Sequence, residues 1–130
     1  MEVLSSRMIL RVSDFGRSRD FYEDVLGLHP YREYGDNGVV TGVVYFAGGG
    51  YLELTANGEV FPGSAIIWLQ VRDIKVEESR LLEAGARVRK PAERMPWGLI
   101  EMWIEDPDGV EVRLVEVPED HPLRRRTRIR

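Results

Sequence analysis

Arg7, Arg11, Glu53 and Arg113 lie in short alternating segments that also carry Tyr51, Trp68 and Gln70. Guanidinium groups, a carboxylate and aromatic rings are the ingredients of anion recognition. Arginine grips a carboxylate or phosphate through two parallel N–H donors, and a ring offers a flat surface for stacking. Other chemistries lack their parts. With no cysteine in the chain, a thiol nucleophile, a disulfide framework and a zinc–thiolate site are excluded. His29 sits beside Pro30, and His121 opens the C-terminal tail. Neither has a second donor four residues on or across a strand pair, so neither has the spacing of a metal site. Gly48, Gly49 and Gly50 read as a turn and not as a phosphate loop, because no helix follows them.

The elements that would position these residues are written twice. Leu10-Arg11-Val12-Ser13-Asp14 recurs as Leu69-Gln70-Val71-Arg72-Asp73, a shift of 59, and Tyr51-Leu52-Glu53-Leu54 matches Glu111-Val112-Arg113-Leu114 at a shift of 60. Each first motif is a strand pattern ending in aspartate, followed by a helical stretch that stops at glycine. Helices are predicted over 17–26 and 76–84, capped by Asp14 and Asp73 and closed by Gly27 and Gly85. Strands are predicted over 28–34, 39–46 and 51–55, then over 86–90, 99–105 and 110–117. Asp106-Pro107-Asp108-Gly109 is strong turn chemistry between the last two. The pattern is β-α-β-β-β, twice, in modules of about 5–58 and 64–117 joined by the breaker-rich Asn57–Gly63.

Length and composition set the frame. The chain has 130 residues, 43% hydrophobic and 31% charged, which suits one soluble domain over 1–118. No apolar run approaches the ~18 residues of a membrane helix and no signal peptide is evident, so a cytoplasmic protein with no membrane partner is expected. The net charge is −4, but the tail 119–130 holds five arginines against two acids, leaving −7 on the body. A body of that charge repels polyanions, so no nucleic-acid partner is expected. The tail reads as a solvated arm whose deletion from Pro122 onward leaves the fold intact.

Period-two alternation assigns faces. Met8, Leu10 and Val12 pack under the first helix and leave Arg7, Ile9 and Arg11 opposite. Leu52 and Leu54 pack and leave Tyr51, Glu53 and Thr55; in the second module Ile66, Trp68 and Gln70 share the outer face with Glu111, Arg113 and Val115. The facing of Trp103 is not fixed by its neighbours. Tryptophan and tyrosine together on a helix-distal sheet face fit a ligand-lining surface or a subunit interface better than a solvated one. Trp97, in the loop Met95-Pro96-Trp97-Gly98, suits a rim, a dimer contact or a ligand contact.

The segment from Ile9 to Asp14, then Ser18-Arg19-Asp20-Phe21-Tyr22-Glu23-Asp24-Val25-Leu26-Gly27-Leu28, resembles the opening of the vicinal oxygen chelate superfamily, which includes glyoxalase I, bleomycin-resistance proteins and extradiol dioxygenases. Tyr51–Asn57, Met95–Gly98 and Asp106–Gly109 match as well, so the resemblance covers about 7–117. It implies an α+β chain of two βαβββ modules, with mixed sheets curling into an open cup or barrel that a homodimer completes. The superfamily's enzymes commonly hold a divalent metal through four residues of that cup. Carried over, those positions fall on Arg7, Glu53, Ile66 and Arg113. Of these only Glu53 can donate to a metal, since a guanidinium has no available lone pair and isoleucine has none at all. No metal and no other cofactor is therefore expected.

Two functional readings follow. One is a metal-independent binding protein of the bleomycin-resistance type, holding a small aromatic or charged ligand through Arg7, Arg11, Tyr51, Glu53, Trp68, Gln70, Trp97 and Arg113. The other is a glyoxalase-, lyase- or dioxygenase-like enzyme with a non-standard site. Glu53 is its weak catalytic candidate, because a neighbouring arginine makes a carboxylate a poorer base. Arg7, Glu53 and Arg113 would form either an anion-recognising group or a closed network standing where a metal would be.

Overall fold

The structure is a computed structural model and describes residues 2–56 and 65–125. These residues form two compact units, the first of residues 2–56 with Asp106–Val110 and the second of 65–105 with 111–125. The predicted linker Asn57–Gly63 lies outside the described residues, as does the end of the basic tail.

The first unit runs β1 (Arg7–Arg11), α1 (Phe15–Asp20), a π-helical turn (Phe21–Val25), β2 (Pro30–Asp36), β3 (Val39–Ala47) and β4 (Gly50–Thr55). Asp14 caps α1, its carboxylate accepting from the Arg17 N–H at 3.1 Å. The helix begins two residues earlier than predicted and widens after Asp20, where Leu26 N–H bonds Phe21 C=O, five residues back. Gly27 then leaves it at φ +87°. The turn buries Phe21 and Tyr22, and the Tyr22 hydroxyl donates to Asp106 at 2.8 Å.

The sheet order is β1-β4-β3-β2, with β1 parallel to β4 and the other pairs antiparallel. Leu10 and Val12 are buried as predicted, but Met8 is 44% exposed, so the packed stripe of β1 is shorter than its alternation suggests. Asn37 and Gly38, at φ +52° and +77°, close the β2–β3 hairpin in the left-handed conformation that such two-residue turns require.

The second unit repeats the plan: β5 (Ile66–Gln70), α2 (Ile74–Glu83), β6 (Arg87–Arg94), β7 (Ile100–Glu105) and β8 (Glu111–Glu116), in order β5-β8-β7-β6. Asp73 caps α2 through the Lys75 and Val76 N–H groups. Met102, Ile104, Val112 and Leu114 form the buried face of its sheet. Asp106 holds the β7–β8 turn by accepting from the Asp108 and Val110 N–H groups, both at 2.8 Å. A short α3 (Pro122–Arg125) follows. Both sheets are open, so the two βαβββ modules are present without barrel closure.

Candidate functional site: two helix-distal sheet faces

In the first unit the strand register sets Arg7, Ile9 and Arg11 beside Tyr51, Glu53 and Thr55, and these beside Phe46, Val44 and Gly42. Glu53 is the centre. It is 7% exposed, accepts from Arg7 Nη1 at 2.7 Å on Oε1, and accepts from the Tyr34 hydroxyl at 2.5 Å on Oε2. Burial alone would push this carboxyl up. The Tyr34 hydroxyl and the Arg7 guanidinium outweigh it and hold the group below the ordinary carboxylate range. Tyr34 is pushed the opposite way, first because it donates to Glu53 and then by burial; its hydroxyl also hydrogen-bonds Thr55. The Tyr34 ring lies on Gly42, where a Cβ would stand 2.0 Å from the ring, so only glycine lets that hydroxyl reach Glu53.

An aromatic group adjoins this centre. Tyr31 stacks on Tyr51 with ring centroids 5.2 Å apart, Phe46 lies 6.0 Å from Tyr51, and the Arg7 guanidinium is 6.0 Å from the Tyr51 ring. Tyr31 and Phe46 are half exposed. Arg32 lies 5.7 Å from the Tyr34 ring and within electrostatic reach of Glu53. Of the predicted site residues, then, Arg7, Tyr51 and Glu53 meet; Arg11 shares their face without a polar partner among the described residues.

The second unit arranges its face around another carboxylate. Glu101 is 2% exposed and accepts from Trp97 Nε1 at 2.7 Å and Trp103 Nε1 at 2.8 Å. No arginine or lysine forms an ion pair with it among the described residues. Arg113 stacks on Trp103 at 4.0 Å and donates through Nε to Glu111 at 2.6 Å. Arg89 joins Glu111 to Glu105, so the acids and bases of this face are linked in a chain. Trp68 stands opposite Arg113 in the β5–β8 register and, like Gln70, is exposed. Trp97, which the loop sequence left between three roles, is half exposed and tied to Glu101.

Both histidines keep to structural bonds. His29 is exposed and offers its carbonyl to the Phe46 N–H. His121 bonds the Trp97 carbonyl through Nε2 at 3.1 Å and accepts from the Leu123 N–H through Nδ1, which seats the start of the tail on the Trp97 loop. Among the described residues no three of His, Asp or Glu converge to hold a metal. A depression of about 480 Å³ on the helix side, lined by Arg17, Asp20, Phe21 and Pro107, contains none of the residues above. It is open to solvent and offers Phe21 as its one aromatic ring.

Sequence reading missed Tyr31, Arg32, Tyr34 and Glu101. Arg32 and Tyr31 escape a period-two pattern because an irregularity interrupts β2 between Pro30 and Arg32. Glu101 falls on the polar parity of β7, where an acid reads as solvated, and its burial under two indoles has no sequence signal.

Two repeated βαβββ units with open mixed sheets define a class of protein, and the sequence agrees with it. A model of the Glyoxalase/Bleomycin resistance protein/Dioxygenase superfamily matches residues 5–114, and the chain belongs to that superfamily. No curated protein matches the sequence. Similar solved structures include TioX from Micromonospora sp. ML1, 21% identical with a TM-score of 0.75, over 88% of this chain and 98% of that one. A glyoxalase/bleomycin resistance protein from Catenulispora acidiphila is 28% identical with a TM-score of 0.71, covering 89% of this chain and all of that one, 100%. A superfamily member from Sphaerobacter thermophilus is 27% identical with a TM-score of 0.72, over 88% and 98%.

The superfamily's divalent metal does not fit this chain. The residues at the four positions that the resemblance implies, Arg7, Glu53, Ile66 and Arg113, offer one carboxylate, and that carboxylate already accepts from Arg7 and Tyr34. Hard and borderline divalent ions need several lone-pair donors around them.

Proposed function

We propose that this protein is a metal-independent binder of a small ligand, held against the helix-distal sheet faces and completed by a second copy of the chain. The observation that carries the reading is the 2.7 Å bond from Arg7 Nη1 to Glu53 Oε1, which replaces a metal–carboxylate bond by an internal ion pair. Three further features support it. Tyr31 and Phe46 remain half exposed beside Tyr51, as a stacking surface for a ligand or a second subunit would. Arg7, Arg11, Tyr51 and Glu53 lie on one face of the first sheet, and Trp68, Gln70 and Arg113 on one face of the second, with Trp97 at its edge. Glu53, held below the ordinary carboxylate range, is a poor general base, which weighs against the enzyme reading. No helix among the described residues is long and apolar enough to cross a membrane.

The test is a thermal-shift screen of aromatic acids, aromatic amines, antibiotics and phosphorylated metabolites, because a ligand that binds the native state raises its melting temperature by mass action. Sedimentation runs beside it, and a dimer at micromolar concentration is expected. A monomer of about 15 kDa that responds to no class contradicts the reading.

A further inference from the structure

The strand β2 does something its sequence pattern hides. Pro30 pairs with Tyr45 and Arg32 with Val44, so Tyr31 is an extra residue opposite no partner. Such a bulge lets two successive side chains share one face of a sheet. Both do: the Tyr31 ring meets Tyr51 at 5.2 Å and Phe46 at 5.0 Å, while the Arg32 guanidinium lies over Tyr34. A stacking surface and a cation are thereby set side by side, their Cα atoms about 3.8 Å apart along the chain.

The charges on that face do not balance. Arg7 is paired with Glu53, and the same carboxylate also takes the Tyr34 hydroxyl. Arg32 and Arg11 have no carboxylate partner among the described residues. The described face therefore carries Arg7, Arg11 and Arg32 against Glu53 and, at the hairpin end of β2, Asp36, which leaves one positive charge in excess. The second unit offers no such surplus on its face, since Arg113 is engaged with Glu111.

We propose that Arg32, presented beside Tyr31 by the β2 bulge, is the anion-binding residue of this face, and that its ligand is a small planar aromatic carboxylate. The ring stacks on Tyr31 and Phe46, the carboxylate takes Arg32 in a bidentate pair, and Arg11 adds longer-range attraction from β1. Two strands lie between β1 and β2 and the register sets Arg11 level with Tyr34, so the Arg11 and Arg32 Cα atoms stand about 16 Å apart, too far for one carboxylate to pair with both. Tyr34 and Glu53 form the floor and keep Arg7 from competing. This assignment rests on the small-molecule reading above and names its ligand class.

The probes are 2-naphthoate, its neutral amide and the cationic 2-naphthylmethylamine, titrated calorimetrically into the full chain at low and moderate salt. The acid is expected to bind at least tenfold more tightly than the amide, with the amine weakest and with salt narrowing the gap. Arg32→Gln, an exposed substitution with an unchanged melting temperature, should abolish the preference for acid over amide while leaving amide affinity within twofold. Arg11→Gln should weaken the acid only two- to threefold. Equal binding of acid and amide, or a preference that survives Arg32→Gln, overturns the assignment. If these probes fail while the thermal-shift panel yields a ligand of another charge, only the anion assignment falls. Silence in both experiments removes the binding reading too.

Discussion

Glu53 and Glu101 are buried carboxylates on the same face of two sheets built to one plan, and they are stabilised in different ways. Glu53 has an arginine and a phenol; Glu101 has two indoles and no ion-pair partner among the described residues. The register shows that they are not equivalent positions. Glu53 stands opposite Val44, and the corresponding pair in the second unit is Arg113 and Trp103; Glu101 falls where the first unit has Gly42. The difference teaches where each unit has room. The first keeps a glycine under the Tyr34 ring, which lets the hydroxyl reach Glu53, and Arg11 and Arg32 stay exposed. The second fills that place with an acid and ties down two of the chain's three tryptophans. One face keeps Arg11 and Arg32 without a carboxylate partner among the described residues, and the other is linked internally.

The largest effect expected from breaking this comparison comes from Glu101→Ala. It leaves two indole N–H groups without their acceptor and a void in the sheet, and should cost about 2–4 kcal/mol in denaturant unfolding. Glu101→Gln keeps one acceptor and should lose roughly half as much. A neutral outcome for Glu101→Ala would mean that water serves both indoles. Next is Gly42→Ala, whose Cβ would stand 2.0 Å from the Tyr34 ring. Overpacking of that kind costs about 1–3 kcal/mol, and the displaced Tyr34 should show as a lower phenol pKa in an ultraviolet titration.

Smaller changes are expected at Glu53. Glu53→Gln should cost about 1 kcal/mol at neutral pH, since Arg7 is partly exposed and can turn to water. The pH dependence fixes its sign. A carboxyl held below its ordinary value when folded adds stability above its unfolded pKa and loses it as pH falls through the lower folded value. The gap between wild type and Glu53→Gln should therefore close on acidification. Asp106 acts oppositely: burial raises its folded value, so its contribution weakens as pH rises through that value. The smallest effect belongs to the tail. Deleting Pro122–Arg130 removes the Leu123–His121 bond and should lower stability by only about 0.5–1 kcal/mol.

Much of the fold was legible because each module repeats the same punctuation. Asp14 and Asp73 cap, Gly27 and Gly85 stop, and the Asp106–Gly109 turn closes as its residues dictate. Asn37-Gly38 carried an equally clear hairpin signal that the strand limits of 28–34 and 39–46 stopped short of using. The site was harder to read. Alternation found Arg7, Tyr51 and Glu53, since β1 and β4 are regular, but β2 is bulged, and periodicity fails where two adjacent residues face one way. In β7 alternation separates Ile100, Met102 and Ile104 from Glu101, Trp103 and Glu105, but an acid on the polar parity reads as solvated, and only the two indole hydrogen bonds show that Glu101 is buried.

We propose that an internal ion pair at Arg7 and Glu53 stands in place of a metal and that ligand binding proceeds without one. This is tested most directly by elemental analysis of the purified protein, followed by calorimetric titration of the best ligand from the screen before and after exhaustive chelation. The account predicts less than a tenth of an equivalent of any divalent metal and the same affinity in both titrations. A stoichiometric metal whose removal abolishes binding, and whose return restores it, would contradict the account and put an enzyme in place of the binding protein.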